Sequence, residues 1–330
     1  MKEILHIDIR GLVDNKRFPV AKIIGLVVTI VIFAYLIWKS QKAICYLIHS
    51  DIHFAPIYLV LSLLSQLVGV LLAAGIWSDI LHHVGVNTGY LFDLQVFCAS
   101  ALGRKIPGAI WYALGRFALY RKRRQPNSSV LLALIVEAVV TAAAGLAVFA
   151  ISLGTGSSDY LSVFNKSNFL FYSILAFVFL IAFIQPTVIR LIAKRVLENK
   201  GDKNNLQFYS LNLWHTLRWL IAEILVVILG ANVAFFLIKS ISTDISVSMG
   251  GVLGAWGLAV ALGPLAMWLP LDAGLKNGVM YVALVPFTDS STAALFTLIW
   301  RMWVTLLELS FGLVSSISLS QYMKRDNDND

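Results

Sequence analysis

Long apolar stretches alternate with short polar ones along this chain. Six apolar runs lie at 23–38, 56–80, 130–153, 169–192, 213–238 and 293–319. A helix rising 1.5 Å per residue crosses about 30 Å of hydrocarbon with roughly 20 apolar residues, so each run predicts a transmembrane helix. Two further regions, 91–120 and 247–285, are equally apolar but interrupted. In the first, Arg104 and Lys105 precede Pro107 and Gly108. In the second, Pro264, Pro270, Gly274 and Gly278 fall close together, with Asp272 and Lys276 among them. Proline donates no backbone hydrogen bond and glycine tolerates turns, so Pro107, Gly108, Pro270 and Gly274 read as hinges. Backbone broken at membrane depth must be surrounded by protein or water. Paired broken segments in the two halves of a chain point to a binding site where they meet.

Charge sets the sidedness. Lys2, Arg10, Lys16, Arg17 and Lys22 precede the first run; Arg121, Lys122, Arg123 and Arg124 follow the first broken region. Arg190, Lys194, Arg195, Lys200 and Lys203 end the fourth run, and Lys324 and Arg325 lie in the tail. The stretches 154–168 and 239–246 hold one Lys each, and 286–292 holds none. The positive-inside rule puts the basic loops and both termini in the cytoplasm. Six spans satisfy this only if each broken region leaves on the side it entered. The pattern therefore predicts an all-α polytopic membrane bundle of about six full spans plus two oppositely oriented re-entrant hairpins. Two short tilted spans per broken region give the same sidedness. The expected organisation is a leader at 1–22, one membrane domain at 23–320 and a cytoplasmic tail at 321–330, without a cleavable signal peptide.

Composition agrees. Of 330 residues, 58% are apolar and 13% charged, against about a quarter charged in soluble domains. The net charge of +8 resides in loops between apolar runs, which favours topology and anionic lipid over nucleic acid. Cys45 and Cys98 sit in apolar surroundings without metal-ligand spacing and read as packing residues. His53, His82 and His83 are expected in solvated loops. No metal site, nucleophile–base motif or glycine-rich phosphate loop is evident, so neither a cofactor nor an enzyme is expected.

One segment carries a family resemblance. Arg104, the run Ile106, Pro107 and Gly108, Trp111, and the closing Gly115 and Arg116 resemble a motif in the transmembrane region of lysylphosphatidylglycerol synthases and their stand-alone, flippase-like relatives. Glu137 sits where that family has a membrane Glu. Pro270, Gly274 and Lys276 match a second motif, from which Leu271, Asp272 and Asn277 depart; Asn277 replaces an acidic residue. Arg301 falls at a family Arg, with Glu308 after it. The resemblance covers essentially the whole chain but includes no synthase domain. It implies movement of a lipid with a modified headgroup across the cytoplasmic (plasma) membrane, and a glycosyltransferase as a partner of stand-alone members.

The candidate substrate-binding residues are Arg104, Lys105, Arg116, Glu137, Glu223, Asp272, Lys276, Arg301 and Glu308. An Arg fork suits phosphate oxygens, although Arg104, Lys105, Arg116 and Arg218 also lie where side chains snorkel. Glu137 and Glu223 are ionisable at depth, which usually marks a partner or a pathway. Thr141 is one turn beyond Glu137. Arg301 and Glu308, seven apart, share a helix face. Asp272 and Lys276 form either a helical i,i+4 pair or a headgroup contact. Trp111, Trp256 and Trp268 are expected to pack or anchor. The stretch 250–254 has glycines spaced for close helix contact. The leading expectation is a flippase or scramblase for a phosphate-containing lipid, a polyprenyl-phosphate sugar or a modified phospholipid. The alternatives are a non-transporting subunit of a glycosyltransferase system and a secondary transporter of a small solute.

Overall fold

A computed structural model describes residues 30–31, 34–41, 45, 55–105, 110–154, 185, 187, 191, 212–241, 248–268 and 272–329, with backbone only at 104–105, 110, 154, 241, 265–268, 272–275 and 322–329. Every regular element among them is helical. The runs at 23–38 and 169–192 lie largely outside the described residues, as do the basic leader and the 190–203 loop.

Helix α1, Pro56–His83, opens on a proline at its first helical position, where the missing N–H costs nothing. It is longer than the apolar run because Val84 N–H still bonds back to the Ile80 carbonyl. His82 and His83 therefore occupy its last turn rather than a loop. The chain reverses through Gly85 and Gly89, whose φ angles of 83° and 86° favour glycine. Helix α2, Tyr90–Ala101, then runs into a 3-10 turn, Leu102–Lys105. Pro107 and Gly108 lie outside the described residues. Helix α3, Ile110–Lys122, leads through Arg124 at φ 56° to α4, Asn127–Gly154.

The second half holds α5, Leu213–Ile241, and α6, Met249–Trp268, with Pro264 inside it. Pro270 is outside the described residues. Helix α7, Asp272–Leu284, includes Gly274 and leads through a 3-10 turn to α8, Ser290–Asn329. Asp289 caps α8: its carboxylate accepts the Ser291 and Thr292 amides at 2.9 and 3.1 Å, and the Thr292 hydroxyl. Burial alone would raise this carboxyl's pKa, but those hydrogen bonds prevail and hold it below the ordinary value.

Helices α1, α4, α5 and α8 are each long and apolar enough to cross a membrane. The 12 residues of α2 span only about 18 Å. Packing pairs α1 with α5, α4 with α6, and α2 with α8, while α6 and α7 fold back on one another. The α4–α6 contact is made by glycine. A Cβ on Gly145 would lie 2.5 Å from the Ala261 nitrogen and 2.7 Å from the Gly257 oxygen. The close approach is thus at Gly145 and Gly257. In the 250–254 stretch, Gly251 lies instead under the Phe287 ring.

Candidate functional site

One cavity of about 290 Å³ lies among these helices. Its wall includes Ser65, Gln66 and Gly69 from α1, Cys98 from α2, Tyr112 from α3, and Glu137 and Thr141 from α4. Glu223 comes from α5, Trp256 and Pro264 from α6, Lys276 from α7, and Trp300, Arg301 and Glu308 from α8. Both interrupted regions therefore line one space. Ala-Leu-Gly occurs in both, at 101–103 where α2 passes into the 3-10 turn and at 261–263 inside α6. A Cβ on Gly103 would meet the Trp111 carbonyl carbon at 2.8 Å, and one on Gly263 would meet Lys276 Cε at 2.5 Å. Each glycine admits the arm that returns across it.

Five of the nine sequence candidates line this cavity: Glu137, Glu223, Lys276, Arg301 and Glu308. The side chains of Arg104, Lys105 and Asp272 lie outside the described residues. Arg116 stands behind the wall, fully buried. It forms a forked ion pair with Glu137, Nη1 to Oε2 at 2.6 Å and Nη2 to Oε1 at 3.2 Å. Its guanidinium also lies 3.7 Å from the Trp77 ring centroid and 4.3 Å from that of Tyr112. The Tyr112 hydroxyl donates to both Glu137 oxygens at 3.3 Å. Arg116 is thus an internal partner that orients Glu137, with no snorkelling path to headgroups.

Thr141 bonds across to another helix. Its hydroxyl donates to Glu223 Oε1 at 2.8 Å, so the residue expected beside Glu137 serves Glu223 instead. Arg301 forms no hydrogen bond or ion pair with any described residue. Trp256 stacks edge-on against Trp300 with centroids 4.8 Å apart, and both indole N–H groups are buried without an acceptor among the described residues. Asn277, beside Lys276, is also fully buried, with both amide atoms unpartnered among the described residues.

Two polar clusters missed by sequence reasoning brace the frame. Asp93, 2% exposed, accepts the Ser78 hydroxyl at 2.6 Å, that of Thr88 at 2.5 Å and that of Tyr120 at 2.9 Å. Tyr120 in turn accepts the Trp77 N–H at 2.8 Å. Asp79 joins α1 to α5 by accepting the Trp219 N–H at 2.5 Å and pairing with Arg218. Arg218 remains exposed, as expected of a helix-end cation, but it has this partner. His83 packs against His215 with ring centroids 4.4 Å apart and against Trp219 at 5.4 Å. It is half-buried rather than solvated. Asp93 and Asp79 both lie in apolar runs, and that position was the available signal. Cys98 packs in the interior but Cys45 is exposed, and Trp111 is exposed while Trp256 packs inside. Among the described residues no group of three or more His, Cys, Asp or Glu is placed to hold a metal ion.

Compared with protein-family models and with curated proteins, the chain matches none.

Proposed function

We propose that this protein moves a phosphate-containing lipid across the cytoplasmic membrane, its cavity receiving the headgroup. The carrying observation is charge within a mainly apolar cavity: five ionisable side chains from four helices converge inside a bundle whose α1, α4, α5 and α8 are apolar enough to span a bilayer. Charges at such depth are costly and mark pathways. A guanidinium without an acceptor among the described residues, Arg301, is complementary to an anionic headgroup. Glu223 and Glu308, and Glu137 held by Arg116, are placed to accept hydroxyl or amine groups.

On this reading the chain has about six spans with both termini cytoplasmic. The short α2 and α3 form one re-entrant hairpin, and α6 and α7 form the other. Their lengths support the first more strongly, since the 20 residues of α6 reach about 30 Å. The protein acts as a translocator and not as an enzyme.

Native mass spectrometry of the detergent-solubilised protein tests the headgroup site. Retention of an anionic lipid that survives delipidation, lost in Arg301→Ala, is expected. Equal retention by both proteins would remove the site. Stable co-purification with a glycosyltransferase, without lipid retention, would favour the subunit alternative.

A further inference from the structure

Helices α1 and α8 present two unlike faces each. On α1, Leu63, Leu64, Leu67, Val68, Leu71 and Leu72 face outward, whereas Gln66, Gly69, Val70 and Ala73 line the cavity. On α8, Met302, Leu306 and Leu313 face outward at 73%, 56% and 57% exposure, whereas Arg301, Val304, Glu308 and Phe311 line the cavity. The two helices share no extended packing. At one end they are joined by a hydrogen bond from Trp303 N–H to the Ser62 hydroxyl at 3.1 Å, and Ser62 donates onward to the Val233 carbonyl at 3.0 Å. At the other end α2 fills the space between them. There Gln95 donates to Ser318 at 2.8 Å, and Leu102 lies so close to Gly312 that a Cβ would meet it at 2.6 Å. Between these two closures α1 and α8 share no extended packing among the described residues, and we call this unpacked stretch a seam: Arg301 and Glu308 lie on its cavity side and exposed apolar residues flank its outer side.

We infer that this seam is a lateral window that holds the hydrocarbon tail of a membrane lipid while its headgroup occupies the cavity. The inference rests on the lipid-translocation reading and names the route. An amphiphile is the ligand class whose two parts match the two sides. Its tail remains among the outward leucines of α1 and α8, where no desolvation is needed, and its polar end meets Arg301 and Glu308. A water-soluble solute would gain nothing from a path flanked by apolar side chains. The Trp303–Ser62 bond and the Leu102–Gly312 contact set the window's two ends.

The test introduces a photoreactive benzoylphenylalanine at Val70 or Phe311, beside the window, or at Ile221, an outward residue of α5. Liposomes contain an anionic phospholipid with a clickable tail. Window adducts should form at Val70 and Phe311 and be lost when Arg301→Ala is added, because the headgroup no longer anchors the lipid. Adducts at Ile221, made by bulk lipid, should not change. Gln66→Trp and Val304→Trp, which plug the seam, should abolish lipid movement, whereas Ile221→Trp should leave it intact. Adducts at Val70 and Phe311 that ignore Arg301, with movement unaffected by the plugs, would overturn the window while leaving translocation standing. No movement of any lipid by the native protein would overturn both.

Discussion

Arg116 and Glu137 are locked in a forked ion pair between α3 and α4, with the guanidinium fully buried and the carboxylate at the cavity wall. The pair is closed on the far side by the Trp77 ring. Removing one partner of such a pair leaves an uncompensated charge, at a cost of about 3–5 kcal/mol. Arg116→Met should therefore lower the unfolding temperature in detergent sharply, and Arg116→Lys less so, because it keeps the charge but loses the fork and the stack. The double variant Arg116→Met, Glu137→Gln should be more stable than Arg116→Met alone. Additive losses would show that the two residues do not act as a pair.

Glycine holds α4 and α6 together where backbone meets backbone. Gly145→Ala would set a Cβ 2.5 Å from the Ala261 nitrogen, and a backbone cannot yield as a side chain can. Overpacking of this kind costs about 1–3 kcal/mol. Gly69→Ala is the contrast, since its Cβ meets Leu229 at an ordinary 3.7 Å and alanine favours a helix by roughly 1 kcal/mol. Thermal unfolding of both variants should move in opposite directions.

Gly230 faces the Trp256 indole so closely that a Cβ would stand 2.3 Å from Nε1. Gly230→Ala should push that ring against its edge-on partner Trp300, inside the cavity wall. A shift in tryptophan emission and weaker lipid retention are expected. An unchanged spectrum in a folded variant would mean that the ring has room elsewhere.

At the start of α8 the Asp289 carboxyl is held below its ordinary value by the hydrogen bonds it accepts, against the opposing effect of burial. A depressed folded value stabilises the protein above the unfolded carboxyl's pKa of about 3.9. That contribution is lost as pH falls through the folded value. Asp289→Ala should destabilise the native protein by about 0.5–2 kcal/mol at neutral pH. Asp289→Asn should keep the cap and lose its pH dependence, measured as unfolding temperature from pH 6 to pH 3.

Much of the frame was readable from the chain because its causes are local. Apolar length marked α1, α4, α5 and α8, whereas Pro264, read among the breaks, lies inside the continuous helix α6 because a helix can carry a proline when packed against neighbours. Spacing alone placed Arg301 and Glu308 on one face, and both line the cavity. Choice of partner was not readable. Helical periodicity says that Thr141 points with Glu137 but not which helix lies opposite, and that helix is α5, bringing Glu223. Arg116 looked like a cation near a basic loop because sequence gives proximity to Arg121, not the aromatic walls of Trp77 and Tyr112 that enclose it. His83 looked solvated because the last turn of α1 runs past its apolar run, against His215 of α5.

The central claim, that a lipid headgroup crosses through this cavity, is tested most directly in liposomes. Purified protein is reconstituted with reporter lipids whose headgroups are attacked only from outside. The panel holds polyprenyl-phosphate sugars, anionic phospholipids and a neutral lipid. Protein-dependent loss of the inner-leaflet pool of a phosphate-bearing lipid, abolished by Arg301→Ala in folded protein, is the predicted result. An inner pool that stays protected for every lipid, or movement that Arg301→Ala leaves unchanged, would contradict the account.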